Sequence, residues 1–231
     1  MSEKYKHVFL DLDNTLWDFK ANSHDTITFL FEKYKLAEKI SDFDEFYNKY
    51  QVINAGLWQL YRESKIEKNQ LRWKRFYDTF LLYGIVDLKL AENFGNDYVE
   101  MSPRKTIMFP YAVEIVEYLS KKYQLYILTN GFKEVQYIKL ENTGLGKFFR
   151  MIFTSEELGF QKPNKQCFEK ALSLAECKSS ESIMIGDDLE IDILGAKNVG
   201  IDQIFFNHEK RIHNEEISFE IESLTEIYKI L

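Results

Sequence analysis

The sequence predicts an α/β protein with a parallel sheet, helices on both faces of the sheet, and an inserted all-helical segment. Three observations support this. From about residue 111 onward, short apolar runs alternate with helical patterns. The apolar run HVFL stands apart at residues 7–10, and residues 20 to about 102 contain almost no strand signal. Strands that alternate with helices build a parallel sheet covered on both faces.

The first strand is followed by four predicted helices. In each helix apolar residues recur at three- and four-residue spacing, as Ile27, Leu30 and Phe31 do in the first. Pro103 and Pro110 then disfavour a helix in the residues before them. The helical block is therefore an insertion after the first strand. The predicted helices span 23–36, 41–63, 69–83 and 87–101. We assign residues 1–16 and 104–231 to a core domain and residues 17–103 to a helical domain.

The second half of the chain supplies the rest of the sheet. Apolar runs predict strands at 125–131, 151–155, 182–188 and 202–207, separated by helical patterns that include 132–143 and 189–199. Four strands end in polar sequences, which are DLDNT, TNG, TSEE and GDDLEID. Because ligands bind at the carboxyl ends of such strands, we expect the functional site at this edge of the sheet.

Composition restricts the class of ligand. The 231 residues carry a formal net charge of −7, which argues against binding to a nucleic-acid polymer. No apolar run approaches the roughly 18 residues of a membrane span, and the charged N-terminus MSEKYKHVFL does not resemble a signal peptide. Cys167 and Cys177 have no metal-ligand spacing and are expected to be buried or bystander thiols. We therefore expect a soluble cytoplasmic protein that acts on a small molecule.

The strand-end carboxylates predict a metal site. Asp11 and Asp13 lie two residues apart on an extended chain, so their side chains point the same way and repel each other. Asp187 and Asp188 follow a later strand of the same sheet. Several carboxylates in one place need a cation, and oxygen ligands without a His or Cys cluster favour Mg²⁺.

We expect the ligand to carry a phosphate group, because Mg²⁺ with few protein ligands usually also binds phosphate. Thr129 and Asn130 offer a hydroxyl and an amide, Gly131 allows close approach of the backbone, and Lys162 supplies a positive charge. Beside Mg²⁺ and Lys162, the Asp11 carboxylate could attack phosphorus. Asp13 could then protonate the leaving oxygen and later deprotonate water.

Four motifs in order resemble those of the haloacid dehalogenase superfamily. DLDNT resembles its first motif DxDxT, LTNG the second, Lys162-Pro163 the third and GDDLEID the fourth. The resemblance implies a Rossmann-like core with an inserted helical cap of the C1 type and a Mg²⁺-dependent reaction through an aspartyl-phosphate.

The resemblance also implies a role for each matching residue. Asp188 stands where Ser or Thr is commoner, so it is either a ligand or a residue that supports the ligands. The implied roles are nucleophile for Asp11, acid/base and main-chain carbonyl ligand for Asp13, phosphate binding for Thr129 and Lys162, Mg²⁺ ligation for Asp11 and Asp187, and support of Lys162 or of metal-bound water for Asp192.

Longer sequence segments indicate one branch of this superfamily. TNGFKEVQYIKLENTGLGKFF and GDDLEIDILGAKNVGID are similar to bacterial pyrimidine and house-cleaning 5'-nucleotidases, which implies a nucleoside monophosphate as substrate. Trp17 and Phe19 could stack on the base or line the seam where a cap closes. The alternatives are a phosphatase of sugar phosphates or phosphoglycolate, a phosphosugar mutase, a 2-haloacid dehalogenase, against which Asp13 argues, and a non-catalytic binding protein. We expect a monomer or dimer.

Overall fold

The computed structural model describes residues 4–231 and contains two compact units. The sheet unit comprises the described residues up to Phe19 together with Thr106–Leu231. The helical unit comprises Lys20–Lys105. The assignment of the helical unit as a cap stays a prediction.

The sheet unit contains six parallel strands in the order β3-β2-β1-β4-β5-β6. This arrangement confirms the predicted α/β class with a Rossmann-like parallel sheet. The strands are β1 His7–Leu10, β2 Gln124–Thr129, β3 Met151–Thr154, β4 Ser182–Gly186, β5 Asp202–Phe206 and β6 Phe219–Ile221.

Helices connect the strands and form the inserted block. The α-helices are α1 Phe19–Lys33, α2 Phe43–Arg62, α3 Lys68–Leu81, α4 Leu88–Met101, α5 Ala112–Ser120, α6 Lys133–Asn142, α7 Ser155–Leu158, α8 Lys165–Leu174 and α9 Gly195–Lys197. Single 3₁₀ turns or short 3₁₀ helices lie at Leu36–Glu38, Ser102–Arg104, Gly146–Phe148, Ser179–Glu181 and Leu224–Lys229.

The sheet is buried on both faces. Along β1, Val8 and Leu10 contribute to one apolar cluster, and Phe9 contributes to the cluster on the opposite face. Helix α5 packs Ile115 into the first cluster, and α8 packs Phe168 into the second. Because successive strand side chains alternate between faces, both must be apolar, which explains the continuous apolar runs of the sequence.

Two local features differ from the sequence prediction. The single helix expected at 189–199 is a wide π-helical segment, Leu189–Leu194, followed by α9. The carbonyl of Asp188 accepts bonds from both Asp192 and Ile193, which widens this turn. Strand β6 was not predicted, because three residues are too few to display an alternating pattern.

The helical unit has an aromatic core. The rings of Tyr50 and Phe76 stack with centroids 5.2 Å apart, and Phe76 also contacts Phe94 at 4.7 Å. All three side chains are buried. Aromatic pairs at these distances stabilise a core beyond their buried area, so α2, α3 and α4 are held together mainly by ring packing. Among the described residues no helix is long and apolar enough to cross a membrane.

Close packing of α3 against α4 depends on Gly95. A Cβ at this position would lie 2.6 Å from the carbonyl oxygen of Arg72, and backbone cannot move aside cheaply. We predict that Gly95→Ala lowers the free energy of unfolding by about 1–3 kcal/mol. Thermal or urea unfolding followed by circular dichroism measures the change.

The matched control is Gly56→Ala in α2, where nothing lies within 4 Å of the added carbon. This change replaces glycine by a better helix former and should leave stability unchanged or raise it by up to about 1 kcal/mol. Equal stability of the Gly95→Ala variant and the wild type would contradict the close approach of α3 and α4.

Candidate active site

The site begins at the carboxyl end of β1. The backbone amide of Asp11 donates to the carbonyl of Ile185 on β4 at 2.9 Å, so the sheet hydrogen bonds continue to Asp11 itself. The residue as a whole is 7% exposed. Asp11 is therefore fixed at the carboxyl end of the sheet, where the sequence predicted the site.

Three carboxylates meet there. Asp11, Asp187 and Asp192 each offer one oxygen, and these oxygens all lie within 4.8 Å of one another. Asp11 and Asp192 are buried, whereas Asp187 is partly exposed. The hydroxyl of Thr15 donates to Oδ1 of Asp187 at 3.1 Å and orients that carboxylate. The structure thus brings together three of the acidic residues that the sequence singled out.

Lys162 stands among these carboxylates and is buried. Its Nζ lies 2.6 Å from Oδ1 of Asp11 and 2.6 Å from Oδ1 of Asp192. Nζ also donates to the carbonyl of Leu128 on β2 at 2.6 Å. The ammonium therefore donates hydrogen bonds to Asp11 and Leu128 and forms an ion pair with Asp192, and such partners offset the cost of burying its charge.

Burial controls the ionisation of the carboxylates. Burial raises the pKa of Asp11 to about 8, although the positive charge of Lys162 opposes the rise. Burial, with the neighbouring carboxylates Asp192 and Asp11, also raises the pKa of Asp187 well above its usual range. Burial alone would lower the pKa of Lys162, but Asp11 and Asp192 raise it above its ordinary value, so the ammonium stays charged.

The residues present fit Mg²⁺. Three carboxylates face one ammonium, which leaves an excess of negative charge that a divalent cation would neutralise. The donor atoms are all oxygens, which is the ligand type that Mg²⁺ prefers. Asp192 belongs to this group, although the family resemblance implied only a supporting role for it. Ligation by the main-chain carbonyl of Asp13 stays a prediction.

Asn130, which directly follows β2, holds the backbone of Lys162 in place. Asn130 donates from its amide nitrogen to the carbonyl of Lys162 at 2.9 Å, and its amide oxygen accepts from the Lys162 backbone N–H at 2.8 Å. Asn130 holds the Lys162 backbone through these bonds, and its contact with substrate stays a prediction. The Thr129 hydroxyl accepts from the amide of Gly131 at 3.1 Å and remains able to donate its own proton to a ligand.

Asp188 caps a helix. Its Oδ1 accepts from the backbone amides of Glu190 and Ile191 at 3.0 and 2.9 Å. These bonds satisfy amides that have no partner inside the helix. Asp188 lies outside the three-carboxylate group and caps this helix, and its role as a metal ligand or a supporting residue stays a prediction.

The side chain of Asp13 contacts α6 and is not part of the cluster formed by the carboxylates of Asp11, Asp187 and Asp192. Lys139 lies 2.5 Å from its Oδ1, and Gln136 donates to its Oδ2 at 2.7 Å. Sequence reasoning did not identify Lys139, Gln136 or Thr15 as parts of the site. The available signal was that Gln136 and Lys139 occupy the buried face of α6, where helical periodicity calls for apolar residues.

Trp17 is fully buried, and the ammonium of Lys139 lies 4.1 Å from its ring centroid. Its ring therefore packs inside the sheet unit and offers no face for a nucleobase in this structure. Phe19 is partly exposed, with its ring centroid 6.2 Å from that of Trp17. Of the two aromatic residues proposed for base stacking, Phe19 alone keeps an exposed surface.

The sequence model of the haloacid dehalogenase-like hydrolase family matches residues 5–200 of this chain. The chain belongs to this family. It is a haloacid dehalogenase-like hydrolase whose three clustered carboxylates and buried lysine come from the first, third and fourth motifs.

Full-length relatives support the family assignment. The chain is 31% identical to the HAD-hydrolase YfnB of Bacillus subtilis over 99% of this chain and 96% of YfnB. It is 32% identical to the pyrimidine 5'-nucleotidase YjjG of Escherichia coli, over 99% and 98%. It is 29% identical to a glyceraldehyde 3-phosphate phosphatase of Methanothermobacter thermautotrophicus, over 97% of each.

A solved relative has the same fold throughout. The crystal structure of YfnB bound to magnesium superposes with a TM-score of 0.89, covers 99% of each chain and is 29% identical. The sequence resemblance to this family and to its pyrimidine 5'-nucleotidases is thereby confirmed at the level of the relatives.

The raised carboxylate pKa values predict that stabilisation by Mg²⁺ grows with pH. Between about pH 4, where a free carboxyl ionises, and about pH 8, Asp11 binds more protons in the metal-free folded state than in the unfolded state. The contribution of Asp11 to the free energy of unfolding therefore falls as pH rises through this range. Mg²⁺ competes with those protons, so the increase in Tm on adding MgCl₂ should be larger at pH 8 than at pH 6.

Thermal unfolding with and without MgCl₂ at both pH values measures this effect. The variant Asp187→Asn serves as control, because it removes a carboxylate of the group and should reduce the Mg²⁺-induced shift at both pH values. A shift that is equal or larger at pH 6 would contradict the competition between protons and Mg²⁺.

Proposed function

We propose that this protein is a Mg²⁺-dependent phosphomonoester hydrolase that acts through an aspartyl-phosphate at Asp11. The observation that carries the proposal is the buried Lys162 ammonium, which joins Asp11 to Asp192 beside Asp187. Haloacid dehalogenase-like hydrolases generally use Mg²⁺, and relatives of this chain are named as phosphatases and nucleotidases. A site that combines a fixed carboxylate with balancing positive charge suits attack on a phosphate.

In the proposed first step an oxygen of Asp11 forms a bond to phosphorus and the bond to the leaving oxygen breaks. Lys162 holds Oδ1 of Asp11, which leaves Oδ2 for the attack. Bound Mg²⁺ would neutralise charge on the phosphate and help to orient it. Asp13 gives a proton to the leaving oxygen. In the second step Asp13 takes a proton from water, the water oxygen bonds to phosphorus, and the bond to Asp11 breaks to release phosphate.

A nucleoside 5'-monophosphate is the proposed substrate. Support comes from the similarity to YjjG over nearly the whole of both chains. The second candidate is a small phosphorylated sugar, favoured by the similarity to a glyceraldehyde 3-phosphate phosphatase. We propose that the helical unit is the cap that closes over the substrate, a step that excludes water during transfer. The cytoplasmic location and the monomeric or dimeric state stay predictions.

Replacing the nucleophile should abolish turnover. We predict that Asp11→Asn lowers Mg²⁺-dependent phosphate release by at least about 1000-fold, because an amide is a far weaker nucleophile than a carboxylate. The control is Asp25→Asn, which removes an exposed aspartate paired with Lys105 in the helical unit and should retain activity. Normal activity of the Asp11→Asn variant would contradict the mechanism.

A phosphate-release screen should identify the substrate class. With Mg²⁺, we expect higher kcat/KM for nucleoside 5'-monophosphates than for sugar phosphates or phosphoglycolate. A clear preference for sugar phosphates would reject the nucleotidase and retain the phosphatase. Absence of phosphate release from every substrate, including an aryl phosphate, would reject the phosphatase as well.

A further inference from the structure

Helix α6 buries two polar side chains on the face that normally carries apolar residues. Gln136 is fully buried, and the Lys139 side chain is 4% exposed. Their three-residue spacing places them on the same side of the helix. Burying an ammonium and an amide is costly unless both are well paired, so their partners indicate why the helix carries them.

The partner of Lys139 is Asp13. Nζ lies 2.5 Å from Oδ1, and no other carboxylate of residues 4–231 is recorded in an ion pair with this lysine. The ammonium also lies over the ring of Trp17, and this packing restricts its movement. Lys139 is therefore held at one place and fixes one oxygen of Asp13 there.

Gln136 fixes the other oxygen. Its Nε2 donates to Oδ2 of Asp13 at 2.7 Å and to Oγ1 of Thr129 at 2.7 Å. The two N–H groups of one amide nitrogen thus connect Asp13 to the hydroxyl proposed to bind phosphate. The Asp13 carboxylate lies within two hydrogen bonds of Thr129.

Gly131 makes this connection possible. A Cβ at position 131 would overlap the side-chain amide of Gln136. The glycine was expected to allow approach of a phosphate to the backbone, and the structure gives it a further task. It leaves the space through which Gln136 reaches both Thr129 and Asp13.

We infer that Lys139 and Gln136 are positioning residues that hold the carboxylate of Asp13 beside the phosphate site for proton transfer to the leaving group. The inference rests on the proposed function, since it needs Asp13 as the acid. Neither residue forms a bond to phosphorus or to the leaving oxygen in this mechanism, and each acts through its contact with Asp13. Both act by fixing a rotamer before substrate binds, so that orientation is not lost at the moment of reaction.

The leaving group provides a selective test. A 4-nitrophenolate ion departs from phosphorus without a proton, whereas an alkoxide such as the 5'-oxygen of a nucleoside needs one. Misplacement of the acid should therefore harm an alkyl phosphate and spare an aryl phosphate. The parameter to compare is kcat/KM, which covers the steps up to leaving-group departure and omits the hydrolysis of the intermediate that both substrates share.

The experiment compares Lys139→Met with the wild type on a nucleoside 5'-monophosphate and on 4-nitrophenyl phosphate, both with Mg²⁺. We expect kcat/KM for the nucleotide to fall about 10- to 100-fold more than kcat/KM for the aryl ester, within the range that general acids contribute. The ratio of the two values comes from one protein sample, so it does not depend on the fraction that folds. Lys139→Arg keeps the charge and should restore the ratio toward that of the wild type.

The matched control is Lys33→Met in the helical unit. Lys33 also pairs with an aspartate, Asp97, at 2.7 Å and lies over a ring, that of Tyr34. Its loss should leave the substrate ratio unchanged. A ratio for Lys139→Met within about 2-fold of the wild type, or a relative gain for the nucleotide, would overturn the inference. A wild type that releases no phosphate from either ester would instead reject the proposed function, and the inference with it.

Discussion

The site depends on one buried cation. Lys162 lies 2.6 Å from a carboxylate oxygen of Asp11 and 2.6 Å from one of Asp192. Without it, two buried negative charges would face each other with no compensation, which costs several kcal/mol in a protein interior. With it, Asp11 can be both buried and fixed to the sheet edge. The hydrogen bonds between the Asn130 side chain and the Lys162 backbone also fix the position of this cation relative to β2.

Much of this arrangement is predictable because it follows from periodicity and from strand ends. Alternating apolar runs and helices predicted the parallel sheet, and the carboxyl ends of its strands predicted the positions of Asp11, Thr129 and Asp187. Lys162 was predicted as the positive charge of the phosphate site, and its place in a family motif supported that role, but neither observation indicates that its side chain is buried. Short β6 and the π-helical turn near Asp192 left no periodic signal.

The contacts of Asp13 and Asp187 that sequence reasoning missed join residues far apart in the chain. Thr15 reaches Asp187, and Lys139 and Gln136 of α6 reach Asp13. Such contacts depend on how one helix is rotated against the sheet, which single-residue patterns do not specify. Gln136 and Lys139 nevertheless occupy positions of α6 where helical periodicity predicts apolar residues. Such departures from the expected pattern occur most often at functional sites.

The central claim is that Asp11 itself becomes phosphorylated, and chemical trapping tests it most directly. The enzyme is mixed with substrate and Mg²⁺, quenched in acid within one turnover, and treated with borohydride, which reduces an acyl phosphate to an alcohol. Mass spectrometry of the peptide that spans β1 should then find homoserine in place of Asp11. Turnover without that modification, or with the modification at another carboxylate, would contradict the account.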